Sequence, residues 1–352
     1  MARFDIDPNI RKARTIPAEF YLDPDFFDLS KEKIFERSWH FLCHESEVDS
    51  LRPAMLLPGV IDEPVLIARD GEKVRCLSNV CTHRGKILVE EPCRANLIRC
   101  GYHGRRFSLD GKFLSMPEFE GVEDFPSDAD DLKRLPIANW NGFLFTSIDP
   151  LEDFASFVGD AEAFVQLESS KPLQLRAKRE YHVNAHWALY CENYLEGFHI
   201  PYVHKALNEV VDYGSYTTET FRYSSLQTGL SEPPASAGGE IAGYPTLEIA
   251  ARYLFVFPNL MFNFYDWGVS VNVVRPVTPS ATVVEFLTYV SDPSKLDQGA
   301  GADLHGVELE DEAVVESVQR GIRSRYYFHG RYSPTREQGT HHFHRLIAEF
   351  ID

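Results

Sequence analysis

Two short stretches, Cys81-Thr-His83 and Cys100-Gly-Tyr-His103, each carry one thiolate and one imidazole, with sixteen residues between them. Two thiolates and two imidazoles can hold a [2Fe–2S] cluster in which imidazoles replace thiolates on one iron. Neutral imidazoles remove negative charge and raise the cluster's potential above that of an all-thiolate ferredoxin. The same four side chains can also bind one zinc ion. Zinc modules usually open with two cysteines two to four residues apart, so a Cys-x-His start favours the cluster. Gly85, Gly101 and Gly104 beside these residues suit a backbone that must approach sulfide closely.

A second constellation reads Glu192-Asn-Tyr-Leu-Glu196-Gly-Phe-His199-Ile-Pro-Tyr-Val-His204. The pattern predicts a helix from about Ala185 to Phe198. Glu196 and His199 are three apart, which places them on one helix face, with Glu192 a turn behind. His204 is off that face on a straight helix, but Pro201 can break the helix and turn it back. Two imidazoles and one carboxylate can hold Fe(II) with open positions for O₂ and substrate. The plainer alternative is one core histidine and one surface histidine.

The carboxylate is sought on a predicted amphipathic helix from about Val307 to Ser324. Val307, Val314 with Val315, Val318 and Ile322 mark its apolar face, and Asp311 falls on that face, unlike Glu310 and Glu312. A buried carboxylate needs a cation or donors, and iron held by His199 and His204 would meet that need. The competing role is capping of the acidic helix start.

These groups need scaffolds, and 352 residues suffice for two domains. PVLIARDGEKVRCLSNV and FSLDGKFLSM are hairpins around Asp70-Gly71 and Asp110-Gly111, and GFLFTSI is a further strand. They predict a small antiparallel β domain over residues 39–148, with both ligand loops at one end. After Pro150, LEDFASFVGDAEAFVQL has helical spacing. SEPPASAGGEIAGYP reads as an exposed loop. Aromatic-rich strands over 251–277 and 281–292 complete a second domain, residues 149–352, built as a curved antiparallel sheet on a long helix. The fold class is α+β.

The net charge of −18 disfavours nucleic acid as a partner. Residues 71–112 run the other way. Lys73, Arg75, Arg84, Lys86, Arg94, Arg99, Arg105, Arg106 and Lys112 face only Glu72, Glu90, Glu91 and Asp110, a local balance of +5. Such a rim could steer an acidic electron donor or simply balance neighbouring charge. No run of eighteen apolar residues suggests a membrane span. MARFDIDPNIRKAR lacks the apolar stretch of a signal peptide, and the remaining cysteines show no framework spacing. Together these predict a cytoplasmic chain with reduced thiols.

The cluster motif followed by Glu-Asn-x-x-Glu-x-x-His-x-x-x-x-His resembles the catalytic α subunit of Rieske non-haem iron oxygenases, the ring-hydroxylating family. ValGlnArgGly after Asp311 resembles the branch containing choline and carnitine monooxygenases. The likeness extends to FYLDPDFFDLSKEKIFERSWHFL, within an N-terminal segment of residues 1–38 expected to pack with the catalytic domain. It implies that Cys81, His83, Cys100 and His103 hold a Rieske [2Fe–2S] cluster, and that His199, His204 and Asp311 hold mononuclear Fe(II). It implies a helix-grip catalytic domain and a homotrimer in which one subunit's cluster serves its neighbour's iron, with Glu196 bridging His103 to His199. It implies O₂ as co-substrate and a separate reductase or ferredoxin as electron donor. Lys86 and Gly101 stand where respiratory Rieske proteins carry their disulfide cysteines. Departures from the family are His186 for a usual Asn, Arg105 for a Trp and Lys205 for a Pro.

The branch resemblance points to hydroxylation or N-demethylation of a small quaternary amine; hydroxylation of an aromatic ring is the alternative. Tyr194, Phe198, Tyr202, Tyr253, Phe255, Phe262, Phe264, Tyr265 and Trp267 are candidate pocket rings, able to cage a cation or flank a flat ring. Ordinary sheet core is the plainer role for most of them. Two other classes remain: a Rieske electron carrier with an appended domain, and a zinc-stabilised binding protein.

Overall fold

The computed structural model describes residues 4–159, 172–208, 212–231, 248–296, 301 and 303–352. They form two compact units, Phe35–Leu151 and the combination of Met1–Ile34 with Glu152–Asp352.

The smaller unit is built from short antiparallel sheets. In one, β1 (His40–His44) and β9 (Ile137–Trp140) flank β10 (Phe143–Thr146). In another, β2 (Leu51–Leu56), β3 (Glu63–Asp70), β4 (Lys73–Ser78) and β8 (Arg134–Leu135) follow in that order. The third comprises β5 (Ile98–Arg99), β6 (Arg106–Phe107) and β7 (Phe113–Ser115). The Asp70-Gly71 turn closes the β3–β4 hairpin, with Asp70 opposite Lys73. Asp110-Gly111 likewise lies between β6 and β7.

Cys81 follows β4, and Cys100 lies between β5 and β6. Both thiols belong to a core with Leu51, Leu66, Leu77, Ile98, Phe107 and Leu132. That core fixes the roots of both loops. Beneath them Arg105 is only 2% exposed. Its Nη2 donates to Asp130 Oδ1 at 2.6 Å, and its guanidinium packs by the rings of Phe107, Phe113 and Phe125. The residue that departs from the family pattern is therefore a buried, ring-packed cation with its own counter-ion.

The larger unit holds a seven-stranded antiparallel sheet. Its order is β11 (Gln174–Val183), β17 (Ala281–Val290), β16 (Gly268–Thr278), β15 (Leu260–Tyr265), β14 (Glu248–Val256), β13 (Ser224–Ser231) and β12 (Thr217–Thr220). The predicted aromatic strands are β14 to β17. The Trp187–Tyr194 helix contacts β16, the Leu304–Gly321 helix and the C-terminal Gln338–Ile351 helix. That last helix was not expected, although Phe343, Leu346, Ile347, Phe350 and Ile351 recur at helical spacing and are buried.

Three expectations need correction. The helix expected to reach Phe198 stops at Tyr194. Pro201 does not break it but sits in the first turn of a new helix, Ile200–Val203, where a missing N–H costs nothing. On the Leu304–Gly321 helix, Val318 is 42% exposed. The buried positions are Glu308, Val315 and Gln319, so the inward face is rotated and partly polar. After Pro150, Phe154–Val158 is helical. The rest of that expected helix and nearly all of SEPPASAGGEIAGYP lie outside the described residues. Among the described residues no helix is long and apolar enough to cross a membrane.

Removing one partner of a buried ion pair strands the other charge. Arg105→Met should therefore lower the stability of the smaller unit by about 2 kcal/mol or more, discounted because Asp130 keeps some solvent contact. In the full chain this is expected as a melting transition several degrees lower; an unchanged transition would show that the pair contributes nothing.

Candidate active site

The two cysteine-histidine loops share one hydrogen-bond plan. Cys81 N–H donates to Lys86 C=O at 2.9 Å, and Gly85 N–H to Cys81 C=O at 3.0 Å. Cys100 N–H donates to Arg105 C=O at 2.8 Å, and Gly104 N–H to Cys100 C=O at 3.1 Å. Gly85 and Gly104 hold matching φ of 70° and 75°, which other residues rarely adopt. A Cβ on Gly101 would lie 3.8 Å from Lys86 Cε, so those two positions are neighbours across the loops.

The side chains sort by type. The Cys81 and Cys100 thiols are close enough to perturb each other's ionisation, and the rings of His83 and His103 stand 4.8 Å apart. Ligands of a single tetrahedral zinc would all lie roughly 4 Å from one another. Among the described residues, the four make no such compact group. A thiol pair beside an imidazole pair suits two irons, one per pair. His103 Nδ1 is buried and has no hydrogen-bond partner among the described residues, as a metal-facing nitrogen would be once its ion is removed. Burial holds the Cys81 thiol up. Burial also raises Cys100, but the N–H of Tyr102 and the Cys81 thiol outweigh it and hold Cys100 below the usual range. Burial lowers His83, helped by His103, Arg105 and Arg84, which favours the neutral imidazole a metal requires. Arg84 itself lies over the Tyr102 ring.

Four of the nine basic residues in the 71–112 stretch carry a counter-charge. Lys86 pairs with Glu90, Arg94 with Asp49, Arg105 with Asp130, and Lys112 with Asp128 and Asp131.

In the larger unit, His199, His204 and Asp311 converge; among the described residues they are the one group of three with all ligand atoms within 4.8 Å. His199 Nε2 stands 3.2 Å from His204 Nε2 and 3.5 Å from Asp311 Oδ1, and His204 Nε2 stands 3.0 Å from Asp311 Oδ1. Adjacent ligands on an octahedral ion with bonds of about 2.1 Å are about 3.0 Å apart. The three atoms thus have the spacing of one octahedral face. Asp303, not Asp311, caps the helix, accepting from Gly306 N–H at 2.8 Å.

Carboxylates fix both ring tautomers. His199 Nδ1 donates to Glu196 at 2.7 Å, and His204 Nδ1 donates to Glu310 at 2.7 Å. A carboxylate can only accept, so each Nδ1 carries the proton and each Nε2 keeps its lone pair for a metal. Glu196 meets His199 through a turn rather than along a helix, its other oxygen accepting from the N–H groups of Phe198 and His199. Asn193 donates to Asp311 Oδ1 at 2.6 Å. Sequence reasoning set Glu310 aside, and it is indeed 50% exposed, yet its carboxylate reaches His204. Glu192 is elsewhere: it accepts from Tyr21 at 2.7 Å and pairs with His344 at 3.1 Å. His186 caps the Trp187–Tyr194 helix, accepting from Ala188 N–H at 3.3 Å.

The triad lines a cavity. Its walls include Tyr190, Asn193, Tyr194, Ile200, Tyr216, Tyr253, Asn263, Tyr265, Asn272, Phe286, Val307 and Glu308. Tyr253 pairs with Asn263 across β14–β15, and Asn272 with Phe286 across β16–β17. Of the expected rings, Tyr194, Tyr253 and Tyr265 line it. Phe255, Phe262 and Trp267 are core, Phe264 packs on Phe262, and Phe198 and Tyr202 are exposed, Tyr202 at 77%. Burial pushes the Glu308 carboxyl up to about 8, against the bond from Tyr190 and with help from Asp311.

The family profile for the ring hydroxylating alpha subunit (catalytic domain) matches residues 171–352, and that for the Rieske [2Fe-2S] domain matches residues 38–126. The chloroplastic choline monooxygenase of Arabidopsis thaliana is 30% identical, over 97% of this chain and 85% of the relative.

The chain belongs to the ring-hydroxylating alpha subunit family.

The carnitine monooxygenase oxygenase subunit of Escherichia coli K12 is 29% identical over 97% of this chain and 95% of the relative. A quaternary ammonium Rieske monooxygenase solved with L-carnitine superposes with a TM-score of 0.80 at 26% identity, covering 98% of this chain and 97% of that one. Naphthalene 1,2-dioxygenase from Rhodococcus sp., at 19% identity and a TM-score of 0.76 over 96% and 93% of the two chains, shares the fold. This ring-hydroxylating alpha subunit is an oxidoreductase whose cofactors are a Rieske [2Fe–2S] cluster and a mononuclear iron.

Burial works against protonation of His204, but its bonds to Asp311 and Glu310 prevail and raise it above the ordinary histidine value of 6.5. Protons should therefore compete with iron as pH falls through and below neutrality, seen as rising iron dissociation in a chelator assay. Glu310→Ala should weaken iron binding by about 10-fold or more. Asp311→Ala should abolish mononuclear iron while the cluster's visible spectrum persists; unchanged iron content would remove Asp311 from the ligand set.

Proposed function

We propose that this oxygenase acts on a small quaternary amine, inserting one oxygen atom of O₂ into a C–H bond next to the nitrogen. The observation that carries the proposal is one cavity lined both by the His199, His204 and Asp311 triad and by tyrosines. Choline and carnitine monooxygenases among the relatives support the substrate class. Tyrosine faces attract a quaternary ammonium and need no N–H from it. Several phenylalanines that would suit a flat aromatic substrate lie in the sheet core instead.

Cys81, His83, Cys100 and His103 would hold the cluster, and His199, His204 and Asp311 the mononuclear iron. When bound, the cluster supplies electrons one at a time and the iron supplies O₂ activation. Glu196 and Glu310 aim the imidazoles, each accepting from an Nδ1 so that Nε2 faces the metal position, and Asn193 orients Asp311. The stoichiometry is one O₂, two electrons and two protons, giving hydroxylated substrate and water. A hydroxymethyl group left on nitrogen would break down to formaldehyde and the demethylated amine.

Residues 39–148 serve as the electron-input domain, and residues 149–352, with 1–38 packed on them, as the oxygenase domain. The electrons come from a separate reductase or ferredoxin. Inter-subunit electron transfer is described for the quaternary ammonium Rieske monooxygenase. It supports a homotrimer here, with Glu196 linking His199 to the His103 of a neighbouring subunit. The four cysteines outside the cluster loops, Cys43, Cys76, Cys93 and Cys191, form no disulfide, which supports a cytoplasmic setting.

Quaternary amines such as choline and γ-butyrobetaine should stimulate O₂ uptake and cluster oxidation, whereas naphthalene and indole should not; the opposite preference would reverse the substrate assignment. Glu196→Gln should retain both metal centres but slow single-turnover cluster oxidation by at least about 10-fold. Near-normal turnover in that variant would refute the link.

A further inference from the structure

Glu308 is the one acidic wall residue that the triad does not use. It lies one helical turn before Asp311, so both face the same cavity. Its side chain is buried, at 3% exposure. Oε2 accepts the Tyr190 hydroxyl at 2.6 Å. Oε1 is also buried and has no hydrogen-bond partner among the described residues.

A buried carboxyl oxygen without a protein partner costs stability, and a group entering the cavity can offset that cost. A ligand N–H or O–H could satisfy it. A quaternary ammonium satisfies it differently, since its charge is spread over methyl groups that need proximity to negative charge and ring faces rather than a directed bond. Tyr190, Tyr194, Tyr253 and Tyr265 supply rings in the same wall. The tyrosine bond to Oε2 holds the carboxyl in place and leaves Oε1 for the ligand. Burial keeps this carboxyl largely protonated at neutral pH when no cation is beside it, and the positive charge of an entering onium group favours its ionised form.

We propose that Glu308 is the counter-ion for the substrate's onium group, Oε1 meeting its methyl face while the cavity tyrosines close the cage. The proposal rests on the quaternary-amine reading above and adds the residue that selects charge over shape. Placing the positive nitrogen beside Glu308 puts its methyl carbons in the same cavity as the triad, where an oxygen atom must be delivered.

The test compares choline with its neutral isostere 3,3-dimethylbutan-1-ol by anaerobic calorimetry on the full chain carrying both metal centres. The wild type should bind choline at least tenfold more tightly than the isostere. Glu308→Gln preserves size and the Tyr190 contact; it should raise the choline Kd at least tenfold and leave the isostere's within twofold. Glu308→Met, similar in volume, should show the same selective loss and serves if the Gln variant does not load its metals. Equal weakening of both probes would make Glu308 a packing residue and overturn the proposal, as would an unchanged choline Kd. A wild type that prefers the neutral probe would instead overturn the quaternary-amine reading itself.

Discussion

Two hydrogen bonds, from His199 Nδ1 to Glu196 and from His204 Nδ1 to Glu310, set the state of everything around them. Each removes one ring nitrogen from competition and fixes the ring's rotation, so two lone pairs meet over Asp311 Oδ1. Three lone pairs or negative charges at this spacing repel one another unless a cation or proton sits among them. The local fold provides that convergence with distinct pieces. A turn carries Glu196 and His199, a four-residue helix separates the two histidines, and the Leu304–Gly321 helix brings in the carboxylates.

The same helix concentrates Glu308, Glu310 and Asp311 within about one turn, an arrangement that self-repulsion would penalise on an exposed surface. Here each carboxylate has a separate duty: Glu308 lies in the cavity wall, Glu310 reaches a ring nitrogen, and Asp311 faces the histidine pair. Local negative charge favours a divalent ion and a cationic substrate together. In the smaller unit the balance is reversed: Arg105 is buried near the thiol loops, and burial together with neighbouring cations depresses His83. Acid near the mononuclear site and base near the cluster loops are the chain's two electrostatic biases.

Legibility followed the range of the interactions. The thiol-imidazole loops are local: ligands two or three residues apart, a glycine at each turn, and Asp-Gly hairpins beside them. Strands β14 to β17 were legible from their own pattern, whereas β11, β12 and β13 of the same sheet were not. The path from Tyr194 to His204 was not, because a helical pattern continues past the point where Leu195 and Glu196 begin a turn. Asp311 was found by periodicity although Val318, part of that pattern, faces solvent. Glu310 was passed over because its partner is 106 residues away and its own exposure is high. Among the rings, alternation could not separate cavity tyrosines from core phenylalanines, since both occupy strands of one sheet. The Gln338–Ile351 helix escaped notice because histidines and threonine interrupt its apolar face, yet His344 is buried there against Glu192.

The most direct test is total iron, zinc and acid-labile sulfide on anaerobically purified protein. One cluster with one triad-bound ion predicts about three irons per two sulfides in each chain, with no stoichiometric zinc. Zinc without sulfide, or two irons per two sulfides that added Fe(II) does not increase, would contradict it.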